Sequence, residues 1–154
     1  MTAPKSTEVL FYHLEHRSLE GVLPELLERT LERGWRAVVQ AGSQARVEVL
    51  DSHLWTYSDA SFLPHGTARD GEPQRQPIVL TVGEDNPNSA DVRFLVDGAS
   101  LPDLTGYRRA VFLFDGRDDA AVAVARQQWK AVKAAGLDAT YWQQSAQGRW
   151  EKKA

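Results

Sequence analysis

The chain has 154 residues, 42% of them hydrophobic and 25% charged, with a net charge of −3 and no cysteine. That composition suits one soluble domain with a core of normal size and excludes disulfides and thiolate metal sites. No apolar run is long enough to cross a bilayer, and the start at Met1 to Ser6 lacks a signal core, so a cytoplasmic protein without cofactor or metal is expected. The slight acidic excess argues against a surface built throughout for phosphate but leaves a local basic patch open.

In chain order, Glu8 to His13 (EVLFYH) reads as a strand. Ser18 to Gly21 reads as a turn. Leu23, Leu27 and Leu31 then recur at helical spacing, with Pro24 expected in the first turn and Gly34 as the stop. Trp35 to Gln40 is a second strand, and Ser43 caps a helix running to about Trp55. Residues 56–77 are rich in proline and glycine and form the longest irregular stretch, of a length that in compact domains is often functional. Three strands follow, at Ile78 to Val82, Val92 to Val96 and Ala110 to Phe114. Asp118 or Asp119 opens the last long helix, which reaches about Ala135 and stops at Gly136. Ala139 to Trp142 is a short final strand, and the polar tail from residue 143 is expected to fray.

Strands alternating with helices predict a single three-layer α/β/α domain over residues 1–154, with a mostly parallel, mixed central sheet. The fold is Rossmann-like without a nucleotide site: the first βα turn, Leu14 to Gly21, holds one glycine where a dinucleotide fingerprint needs several, and no phosphate-loop pattern occurs.

Chemistry-bearing groups are sparse. His13 and His16 form a His-x-x-His pair without accompanying carboxylates, which reads as a strand-end and a loop histidine rather than a metal site. Asp115, Asp118 and Asp119 follow a strand, as catalytic carboxylates of α/β enzymes do, yet acids there also cap a helix. With His65 as a base, Asp115 and Asp118 make a rival reading as a small hydrolase or nucleotidyl transferase. The last helix is more informative. Val122, Arg126, Trp129, Lys130 and Lys133 lie within an arc of roughly 100° at 3.6 residues per turn. A fork-shaped guanidinium beside a large aromatic suits an acidic peptide ending in a carboxylate. The same face suits single-stranded DNA, or Trp129 belongs to the core and the cations only solvate its edge.

One segment carries more. Leu54-Trp55-Thr56-Tyr57-Ser58-Asp59-Ala60-Ser61-Phe62-Leu63-Pro64-His65 resembles the signature of the DNA polymerase III chi family: Leu-Trp, five residues, Ser-Phe, an aliphatic residue, then Pro-His. Gly71-Glu72-Pro73, the Phe11-Tyr12 strand and the block Ala125 to Gly136 resemble that family too. The resemblance implies a non-catalytic adaptor in the polymerase holoenzyme, reaching DNA only indirectly. One surface would bind a psi subunit, which links to the clamp loader, or another partner such as a repair helicase, and falls on Trp55, Phe62, Leu63, Pro64 and His65, unless Trp55 and Phe62 only pin the loop onto its own core. The other would bind the acidic C-terminal tail of the single-stranded-DNA-binding protein. It falls on Arg126, Trp129 (usually Tyr in the family), Lys130 and Val122, where the family carries a Lys. Lys133 stands as a replacement for the cation lost at Val122.

Overall fold

The alternation of strand and helix closes into one sheet of eight strands. The computed structural model describes residues 7–58 and 63–154. In chain order the elements are β1 (Glu8–Leu14), α1 (Leu19–Glu32), β2 (Ala37–Ala41), α2 (Gln44–Thr56), β3 (Gly66–Thr67), β4 (Ile78–Thr81), β5 (Val92–Val96), β6 (Arg109–Asp115), α3 (Asp119–Ala134), β7 (Asp138–Gln144) and β8 (Trp150–Lys152). The strands lie in the order β3-β4-β2-β5-β6-β1-β7-β8, parallel throughout except for β8, which runs antiparallel to β7.

Chain direction explains the three layers. From β1 the chain moves through α1 to β2 and through α2 to β3, toward one edge; from β6 it moves through α3 to β7, toward the other. Right-handed crossovers therefore put α1 and α2 on one face and α3 on the opposite face. Side-chain alternation follows. Leu10, Tyr12 and Leu14 of β1 meet the core under α1 and α2, which includes Leu23, Leu27, Leu50 and Phe94. Val9 and Phe11 point the other way, into a smaller core with Leu95, Phe112 and Val132, against which Trp129 and Tyr141 pack.

The strand from Val92 to Val96 and the helix begun at Asp118 lie where the sequence places them, and Asp118 caps α3 by accepting from the Ala120 and Ala121 amides at 3.0 and 3.3 Å. Three expectations are corrected. The Ser18 to Gly21 turn is the start of α1, capped by the Ser18 side chain, so Pro24 sits inside the helix rather than in its first turn. The irregular stretch contains β3 and a short 3-10 turn at Pro73–Arg75. The tail expected to fray contains β8, which pairs Trp150 with Gln144 and Lys152 with Trp142.

Candidate functional site

α3 carries its cations toward its carboxyl end and its acids, Asp118 and Asp119, at its amino end, which matches the helix dipole. Ala125 and Val132 are buried and anchor the helix to the sheet. On the outward side Arg126, Lys130 and Lys133 are exposed, while Val122 and Trp129 are half-buried. Of the five positions expected to form the face, the three cations thus stand at the surface and Val122 and Trp129 at its margin. Among the described residues no acid pairs with Arg126, Lys130 or Lys133. By contrast Arg17, Arg46, Arg75, Arg108, Arg109 and Arg117 each meet a carboxylate.

Trp129 is rooted in the core and open at its other side. Its ring meets Phe11 edge-on at 5.3 Å and Tyr141 edge-on at 5.8 Å, and the Lys133 ammonium lies 5.7 Å from its centroid. Packing fixes the ring without enclosing it, so it offers a rigid apolar wall. The alternative that Trp129 is purely a core residue is therefore only half right.

Tyr141 and Phe114 are components that sequence reasoning missed. Tyr141 stacks edgewise on Phe114 at 5.9 Å, and its hydroxyl lies 2.6 Å from His13 Nδ1. His13 Nε2 is 3.1 Å from the Glu15 carboxylate, which accepts in turn from Gln143 at 2.8 Å. Burial pushes the Tyr141 phenol upward, and the charge of Arg126 acts on it in the opposite sense, so the two groups share one electrostatic environment. Gly116 makes room for this network: a side-chain carbon there would lie 1.9 Å from His13 Nε2. Period-two alternation along β7 is the signal that could have placed Tyr141 on the α3 face.

The second expected surface is split. Trp55, on α2, is 53% exposed, and Pro64 is half-buried. Leu63 and His65 are buried instead. His65 faces the Leu63 carbonyl at 2.7 Å through Nδ1 and the Asp51 carboxylate at 3.0 Å through Nε2, and its ring lies 4.4 Å from that of Trp55. His65 thereby ties the loop to α2. Phe62 lies outside the described residues.

The acids and the base of the enzyme reading are not brought together. His65 precedes β3, which is four strands from β6 and Asp115; at about 4.8 Å per strand that is roughly 19 Å. Asp115 instead accepts from the Arg117 amide at 2.9 Å, which holds its carboxyl below the usual range. A cavity of about 730 Å³ does open at the carboxyl ends of β1 and β6, where doubly wound folds bind nucleotides. Its helix starts are capped by Ser18 and Asp118, and its arginines, Arg17, Arg46 and Arg117, are each paired with an acid. The caps take up the Gly21, Ala120 and Ala121 amides and the acids take up the guanidinium groups, so these donors are already engaged where phosphate would need them.

Residues 6–140 match the family model described as DNA polymerase III chi subunit, HolC. The chain belongs to the DNA polymerase III chi subunit family. This places it among the accessory proteins of DNA replication. It is also 27% identical over 103 residues to the probable DNA polymerase III subunit chi of Rickettsia prowazekii (strain Madrid E), an alignment covering 67% of this chain and 62% of that relative. The chain thus spans less than two thirds of the relative's length. The match to the chi family stops one residue before Tyr141, so the hairpin of β7 and β8 lies mostly outside it. Among the described residues no helix is long and apolar enough to cross a membrane.

Proposed function

We propose that this chi-family chain is a non-catalytic adaptor that receives the acidic C-terminal tail of a single-stranded-DNA-binding protein on α3. The observation that carries this reading is the cluster of unpaired cations, Arg126, Lys130 and Lys133, around the fixed ring of Trp129. The terminal carboxylate lies on the Arg126 fork, the last aromatic side chain packs against Trp129 and Tyr141, and the preceding acids lie near Lys130 and Lys133. Half-buried Val122 contributes apolar contact in place of a charge.

The same reading gives the exposed Trp55 and Pro64 surface to a psi-like partner that joins the chain to the clamp loader. Trp55 has the size and exposure of an interface anchor. Leu63 and His65 support that surface rather than touch the partner.

Titration with a tail peptide tests the main claim. A hydrogen bond to a charged group contributes about 1.5–3 kcal/mol, so Arg126→Ala weakens peptide binding by roughly 10- to 100-fold and leaves the fold intact. Unchanged affinity in that variant removes the assignment. Trp55→Ala is expected to leave peptide binding as it is and to abolish co-purification with the psi-like partner.

A further inference from the structure

At the amino-terminal edge of the sheet, three arginines from the ends of α1 and β6 gather around one tryptophan, and a fourth lies beside them. Trp35, just before β2, has the Arg33 guanidinium carbon 5.1 Å from its ring centroid, that of Arg109 at 5.3 Å and that of Arg108 at 5.5 Å. Arg29 lies one helical turn before Arg33 on α1. Arg108, just before β6, and Arg109, its first residue, both turn to this ring. Like charges repel, and in a chain of net charge −3 such a gathering does not follow from composition.

The acids nearby do not cancel it. Arg108 meets Asp91 at 3.4 Å and Arg109 meets Glu8 at 3.3 Å, each through one long contact. Arg29 and Arg33 are exposed and have no acid partner among the described residues. Beside the ring a hollow of about 150 Å³ opens between α1 and the sheet, with Tyr12, Trp35 and Phe94 among its walls and Arg29, Arg33 and Arg109 at its rim. A cavity of about 150 Å³ accepts one aromatic ring. Burial pushes the Tyr12 phenol up, and the charges of Arg109, Arg29 and Arg33 all act on it, so the three converge on the hollow.

We propose that this arginine-ringed hollow binds single-stranded nucleic acid, with backbone phosphates on Arg29, Arg33 and Arg109 and an unstacked base against Trp35 and Tyr12. Arginine forks and aromatic walls are the combination that single strands require. A duplex keeps its bases stacked and offers nothing to enter the hollow. The guanidinium groups are spread over α1 and β6, wider than the single carboxylate terminus of a peptide needs. The site is at the amino ends of β2 and β6, on the α1 side of the sheet, and shares no residue with the α3 face. It gives the chain a contact with DNA of its own.

The test is fluorescence anisotropy of dye-labelled oligothymidylate with the full chain, as a function of salt. Three phosphate contacts predict a slope of log K against log salt near −2, at about 0.7 per contact. Arg29→Ala/Arg33→Ala removes two contacts, so the slope becomes shallower by about 1.4 and low-salt affinity falls roughly tenfold or more. Arg126→Ala leaves oligonucleotide binding unchanged, and the double variant keeps its circular dichroism and its affinity for the tail peptide. No binding at low salt overturns the proposal, as does equal binding by wild type and the double variant. Thymidine monophosphate that competes as well as the oligonucleotide overturns it in favour of a mononucleotide site. Loss of tail-peptide binding in the double variant reassigns the patch to the peptide and overturns it as well.

Discussion

Arg93 places a guanidinium at 0% exposure on β5, in the interior of the sheet. Among the described residues no carboxylate pairs with it. It donates to Gln40 Oε1 at 3.0 and 2.7 Å, to the Asp85 and Gly83 carbonyls at 2.8 and 2.6 Å, and to the Tyr107 hydroxyl at 2.9 Å. This fully bonded cation ties β2 and β5 to the loop covering the face that α3 leaves open. Arg93→Met removes five hydrogen bonds and strands buried acceptors that each cost about 1–3 kcal/mol, so stability falls by at least ~3 kcal/mol. Urea unfolding reads this as a lower midpoint at similar slope; a midpoint within error of wild type rejects the keystone role. The bounds of this strand were legible in Val92 to Val96, but the depth of Arg93 was not. Its partner Gln40 is 53 residues away in the chain, and an arginine between valine and phenylalanine reads locally as the solvent side of an alternating strand.

At the scale of elements, α1 and α2 are joined through a carbonyl that a proline sets free. Pro24 has no N–H for the Glu20 carbonyl, and His53 of α2 binds that oxygen at 2.6 Å instead. Arg46 completes the joint by meeting Glu20 at 2.6 Å and Asp97 at 2.8 Å. The hydrogen bond from Arg46 holds the Glu20 carboxyl below its ordinary value of 4.5. Its stabilising effect is therefore complete above about pH 4.5 and is lost as pH falls through the lower folded value. Glu20→Gln is expected to lower the melting temperature at neutral pH and to flatten its fall below pH 4.5. Parallel melting curves for the two proteins across that range reject the prediction. Helix starts with serine or aspartate caps were readable from sequence because capping is local chemistry, although at Ser18 the same residue type passed for a turn. The Pro24–His53 contact was not readable, since it depends on how two helices cross. The unpaired cations of α3 were visible as an arc of residues. Tyr141 was not, because it reaches the site from the strand beyond the helix.

The carboxyl-terminal hairpin connects these scales across the whole molecule. Both large helices on one face travel toward β3, so the opposite edge of that face needs another cover. Trp150 of β8 supplies it by packing edge-on against Tyr12 at 4.9 Å. Pairing with β8 also occupies the edge of β7, an edge that otherwise invites pairing with another chain. The same hairpin holds the site. The Lys153 amide donates to the Tyr141 carbonyl at 2.7 Å, so the strand that presents Tyr141 to Trp129 is fastened from its outer side. Composition made residues 143–154 look like a fraying tail, because polar residues surround a single tryptophan; what orders them is an open sheet edge that only the assembled fold presents. Removing residues 146–154 strips about 1–2 kcal/mol of half-buried apolar contact at Trp150 and frees the β7 edge. The truncated chain is expected to melt lower, to self-associate with rising concentration in sedimentation velocity, and to bind the tail peptide several-fold more weakly although Arg126, Lys130 and Lys133 are intact. Trp150→Ala separates the causes, since it loses the packing on Tyr12 but keeps the strand pairing that fastens Tyr141. Full peptide affinity in the truncated chain would show that Tyr141 needs no such fastening, and would leave the wall of the site to Trp129 alone.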